Sequence, residues 1–100
     1  MKMYILIPES VPPGFAILAA AHASLAAYLR FRERPAVTEW LAGPFRKVVC
    51  RVTDEEFEQA KQHDDHVVIT ESALDNAEVA IAFCPREEWP KSFRFLRLYR

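Results

Sequence analysis

Cysteine is scarce in this chain. Only Cys50 and Cys84 occur, far apart and in no CxxC or Cys/His pattern. Each sits in an apolar run that reads as a strand, so both are expected to be buried, reduced thiols of a cytoplasmic protein. Long apolar runs are missing too. The longest, Phe15 to Leu29, falls short of the roughly 20 residues of a membrane span. It also carries His22 and Ser24 and follows Pro12-Pro13-Gly14. The first run, MYILI, is stopped by Pro8 and Glu9, too early for a signal peptide. A soluble chain with no membrane partner is expected.

A strong net charge is also absent. The formal charge is −1, which argues against non-specific coating of nucleic acid. The charge is unevenly placed. Residues 1–50 hold six Lys/Arg against three Asp/Glu, and residues 51–100 seven against eleven. The last ten residues carry Lys91, Arg94, Arg97 and Arg100 with no acid, so a local basic patch stays open. There are no repeats and no low-complexity segment.

What is present fits one domain over residues 1–100, long enough to bury a core without staples. MYILI (residues 3–7) reads as a buried strand. An alanine-rich helix follows Gly14 and ends near residues 32–34, before Pro35. Its large residues Leu18, His22, Leu25 and Leu29 share one face. Its small residues Ala16, Ala20, Ala23 and Ala27 form another stripe, where a sheet could approach closely. VTEWLAG (37–43) predicts a short helix, capped by Thr38 or ended at Gly43. KVVCRV (47–52) predicts a strand. Thr53 with Glu56 three residues on is a capping box, opening a helix over about residues 54–62.

HVVIT (66–70) and AEVAIAF (77–83) predict two more strands, joined by a turn at Asp75-Asn76. REEW (86–89) predicts one helical turn, and SFRFLRLYR an extended tail against the sheet. The order β-α-β-α-β-β predicts an α/β fold, a mixed four-stranded sheet with helices on its faces.

Several residues invite chemistry. His22 could serve as a general base, or be a half-buried core histidine bonded to a carbonyl. Glu71 and Ser72 follow the third strand, where open α/β sheets place sites, though a polar turn reads the same way. His63-Asp64-Asp65-His66 has metal-ligand residue types, but adjacent positions diverge and no third cluster supports them, so no metal is expected. Arg30, Arg32, Arg34, Arg46 and Lys47 could form a basic rim or a solvated surface. Trp40, Phe45 and Trp89 could stack on bases or fill a core.

Taken in order, these pieces resemble the type-2 peptidyl-tRNA hydrolases over nearly the whole chain. AILAAAHASLAAY is similar to that family's AAQ-x-x-HAA-x-x-AY helix, and KVVCRVTDEEFEQAK to its second strand and helix. HVVITESA resembles the strand entering its aspartate loop, and VAIAFCP its closing strand. The resemblance implies hydrolysis of the ester joining a peptide to tRNA, with no cofactor. It gives His22, Glu71 and Ser72 the catalytic positions, with Arg46, Lys47 and Arg30 on the phosphates of a tRNA partner. At the positions of the family's lysine and glutamine stand Phe15 and Ala19, and its longer loop is reduced to ESALDNAE. The alternative is therefore a non-catalytic relative that binds a protein or small ligand as a homodimer.

Overall fold

The apolar run near the N-terminus becomes the middle of a sheet. In the computed structural model, which describes residues 1–100, β1 (Met3–Pro8) is buried along its whole length. β2 (Lys47–Val52) pairs with it in parallel, and β4 (Ala77–Phe83) runs antiparallel on its other side. β3 (His66–Glu71) pairs with β4, so the strand order is β2-β1-β4-β3. Three helices complete the single α/β domain: α1 (Pro13–Phe31), α2 (Pro35–Ala42) and α3 (Asp54–Ala60). Met3, Ile5 and Ile7 enter the core beneath α1, whereas Tyr4 and Leu6 face the core beneath α3. Burial on both faces explains why β1 shows no polar alternation.

α1 packs across β4, β3 and β1 with its alanines inward. Ala16, Ala19, Ala23 and Ala27 are buried, and the same core contains Ala80 and Ala82 of β4. Small side chains on both surfaces let the helix come close to the sheet without voids. One member of the expected stripe changes. Ala19 is buried and Ala20 only partly so, because the helical turn of 3.6 residues aligns Ala19 with Ala16 and Ala23. The larger stripe, Leu18, His22, Leu25 and Leu29, faces outward. By length and composition α1 is apolar enough to cross a membrane, and its alanine face lies on the sheet.

The other boundaries follow local chemistry. α2 starts at Pro35 rather than at a Thr38 cap, since proline suits the first helical position, and it ends at Gly43. The capping box forms: Glu56 N donates to Thr53 Oγ1 at 3.1 Å, and Thr53 N donates to Glu56 Oε1 at 2.8 Å. α3 ends at Ala60, two residues before the expected Gln62. Between β3 and β4, Ser72–Leu74 make a single 3-10 turn. Asp75 and Asn76 then take left-handed φ values of 53° and 60°, which their short polar side chains tolerate.

The C-terminal segment departs from expectation. REEW forms no helical turn, because Arg86 is held extended by paired backbone hydrogen bonds with Lys2. The turn comes later, as a 3-10 helix over Lys91–Phe95 that seats Phe93 in an aromatic cluster. There Phe93 meets Tyr4, Phe83 and Trp89 at centroid distances of 5.1, 5.4 and 5.2 Å. Only the residues after that turn form the expected extended tail. Arg51 N donates to Arg97 O at 3.0 Å, and Tyr99 N donates to Val49 O at 2.8 Å, covering the outer edge of β2.

The alanine contact yields a stability prediction. Ala23→Leu adds volume where helix and sheet already touch, and it should cost about 1–3 kcal/mol in urea unfolding. Ser24→Ala, one residue round the helix and only partly buried, should change the midpoint little.

Candidate functional site

The strand directions fix where polar groups collect. β1 and β2 end together at Pro8 and Val52, and β3 ends at the same side of the sheet, where Glu71 faces Ala77. The opposite side gathers the starts of β1, β2 and β3 and the end of β4. With six residues per strand the two ends lie about 20 Å apart.

The starting end carries an open cleft of about 690 Å³, bordered by Met1, Arg34, His63, Asp65, Cys84 and Arg86. Arg34 Nη1 lies 2.8 Å from Asp65 Oδ2. This hydrogen bond holds the Asp65 carboxyl below its ordinary range, and the nearby positive charges of Arg86 and His66 act in the same sense. Asp65 itself sits at φ 62°, a left-handed position at the corner leading into β3. Burial raises the Cys84 thiol above its ordinary value, and Arg34 opposes that rise. The N-terminal amine lies 3.6 Å from Glu87, and the Arg86 guanidinium sits 5.3 Å from the Trp89 ring centre. The Arg34–Asp65 and N-terminus–Glu87 charges around this cleft are thus matched within it.

The residues singled out in the sequence are spread over the molecule. Glu71 and Ser72 stand at the strand-ending side. The Glu71 carboxylate accepts from Ala73 N at 3.1 Å, capping the 3-10 turn, and Ser72 is exposed. His22 lies midway along α1 on its outer face, exposed and with no side-chain hydrogen bond. Arg46 and Lys47 lie at the opposite end, where β2 starts, and Arg30 is exposed in the last turn of α1. Lys47 is already engaged. Its Nζ lies 4.6 Å from the Phe45 ring centre and 5.2 Å from that of Trp40, and it donates to Phe45 O.

The aromatic candidates divide in the same way. Trp40 is buried and donates from Nε1 to Arg46 O at 2.9 Å, and Trp89 belongs to the cluster with Tyr4 and Phe93. Phe45 is about half exposed, at a left-handed φ of 35° unusual for a bulky residue. In the run His63 to His66, Asp65 turns to Arg34, His66 Nδ1 meets His63 O at 2.7 Å, and His63 stands edge-on to Phe93. No three His, Cys, Asp or Glu side chains converge to hold a metal ion.

Sequence reasoning missed the grouping of Arg34, Asp65 and Cys84. Arg34, before Pro35, and Asp65, in the turn before β3, are both visible as charges at turns, but no local period links positions 34, 65 and 84. Cys50, in β2, is wholly buried, and burial pushes its thiol up to about 11. A scan against protein-family models gives no match, and no curated protein matches the sequence.

Two outcomes are expected. Near neutral pH, a thiol reagent should label neither Cys50 nor Cys84 quickly in the folded protein, and should label both in denaturant. For Asp65, whose folded-state carboxyl titrates low, the linked stability is present above the unfolded value of about 3.9 and is lost as pH falls through the folded value. Asp65→Asn keeps the left-handed backbone tolerance and removes that linkage. Its denaturation midpoint should therefore trail the wild type at neutral pH and converge with it in acid.

Proposed function

We propose that this chain is a non-catalytic binding domain, related in descent to the type-2 peptidyl-tRNA hydrolases and acting through contact with another protein surface. The reading is carried by the spread of the acid/base candidates over the fold. Ester hydrolysis on a peptidyl-tRNA needs a base, a positioned water and a donor for the oxyanion within reach of one bond. Here His22 stands midway along the outer face of α1, while the Glu71 carboxylate caps the 3-10 turn after β3 and Ser72 is exposed beside it. Phe15 and Ala19 bring neither charge nor hydrogen-bonding groups to α1. An apolar surface open to a partner is the outer side of α1, with Leu18, Leu25 and Leu29 exposed.

The descent is supported by the order of elements, in which α2 is one added short helix, and by the HAS-x-x-AY segment in α1. A hydrolase reading draws on one observation, the exposure of His22 on that helix with its ring unbonded. It assigns His22, Glu71 and Ser72 the acid/base and water-positioning work, with Arg46, Lys47 and Arg30 on tRNA phosphates.

An N-acetylated aminoacyl-tRNA decides between them. Ester cleavage should proceed no faster with the protein than in buffer, and tRNA affinity should be weak with a shallow salt slope. Turnover that disappears in His22→Ala would establish the hydrolase instead.

A further inference from the structure

We infer that the groove between the start of α1 and the C-terminal tail binds a small carboxylate with an apolar body, such as a medium-chain fatty acid. Its hydrocarbon lies along Ile7, Ile17, Ala20 and Val49, and its carboxylate meets Arg51. This site goes beyond the protein-contact reading and does not depend on it.

The groove follows from where α1 sits. The helix lies over β4, β3 and β1, so the same face of β2 stays free of it. Side chains alternate along a strand, and Lys47, Val49 and Arg51 share that face, while Cys50 and Val52 belong to the core beneath α3. Near the start of β2, Trp40 of α2 closes the strip, its ring centre 5.2 Å from Lys47 Nζ. Further along, the tail supplies the second wall. Tyr99 N donates to Val49 O at 2.8 Å, which sets Tyr99 across the groove from α1. The cavity measures about 280 Å³ and is bordered by Ile7, Ala16, Ile17, Ala20, Val49 and Tyr99, none of them charged. Ile17, in its wall, is 75 % exposed, the most of any large aliphatic side chain here.

The occupant is argued from charge and size. Arg51 stands beside Ile7 in the β1–β2 register, and its guanidinium lies 5.8 Å from the Tyr99 ring centre. It is exposed and belongs to none of the ion pairs; Glu9, the acid following β1, is engaged by Arg97 at 2.9 Å. α1 opens at the same end with no acid in its first turn, so the positive end of its dipole adds to Arg51. Positive potential thus gathers at one end of an apolar slot, and a hydrocarbon with one negative end matches that polarity. A phosphate or a nucleic acid fits less well, because a single free cation among apolar side chains offers too few donors. At about 30 Å³ each, the share of a water in the liquid, the space holds roughly nine groups of methylene size.

Octanoate, titrated into the full chain below its micelle concentration, tests this through the methyl resonances of Ile7, Ile17 and Val49. Saturable shifts are expected there, and decanoate should bind roughly tenfold more tightly through its two further methylenes. Arg51→Gln should weaken octanoate at least about tenfold and leave the uncharged 1-octanol unaffected. Ile17→Gln should weaken both. Each substitution replaces an exposed side chain, so the urea midpoint should stay in place.

No saturable shift at millimolar octanoate overturns the inference. So does octanol that binds as tightly as octanoate, or Arg51→Gln that keeps the wild-type affinity, since either removes the carboxylate from recognition. Shifts confined to Leu18, Leu25 and Leu29 mean that octanoate coats the outer side of α1, which also overturns it. A leucine-ended peptide that binds more tightly than octanoate, and loses its affinity on C-terminal amidation, reassigns the groove to a protein chain end.

Discussion

The contact of α1 with the sheet is made by methyl groups. Ala16, Ala19, Ala23 and Ala27 lie in one core with Ala80 and Ala82, and this smallness sets the distance between the two layers. A helix has one circumference to distribute. Once its alanines are committed to the sheet, the leucines at 18, 25 and 29 have only the outer side left. The outward position of His22 and the apolar character of the outer surface both descend from that one packing choice.

The opposite layer is built on the contrary principle. Beneath α3 the core is aromatic and bulky, with Tyr4, Phe57, Phe83 and Phe93 filling it and Trp89 packed against its edge. Edge-to-face rings hold the C-terminal segment there, so the chain can run on along β2 and cover its free edge through Arg97 and Tyr99. A salt bridge from Arg97 to Glu9, at 2.9 Å, ties the tail to the loop after β1. Residues from the two ends of the sequence thus close one side of the sheet, whereas β3 leaves its own edge open.

The sheet also governs what chemistry the surface can assemble. Parallel β1 and β2 send their ends to one side, and β4, running the other way, brings Cys84 and Arg86 to the side where Arg34 and Asp65 meet. Glu71 and Ser72 go with the strand ends, and Arg46 and Lys47 with the strand starts. A strand of six residues is long compared with a hydrogen bond, so groups at its two ends cannot act on one bond of a substrate. The charges that do meet, around Arg34 and Asp65, belong to different loops and neutralise one another.

The sequence alone determined the elements. Thr53 and Glu56 marked the start of α3, Pro35 and Gly43 bracketed α2, and the apolar runs at 3–7, 47–52 and 77–83 are strands whose residues were legible because their backbone demands are local. It also revealed the two stripes of α1. The alanine stripe was legible as the place where a sheet could approach closely, and Ala16, Ala23 and Ala27 do lie there; what no local pattern told was which strand surface leaves room for it. Ala80 and Ala82, some sixty residues away, decided that. The same limit holds for the candidate site. His22, Glu71, Ser72, Arg46 and Lys47 could each be picked by residue type and place in the order, but their separation depends on strand direction and pairing. Those are properties of the assembled sheet, fixed by contacts between residues that no local period connects.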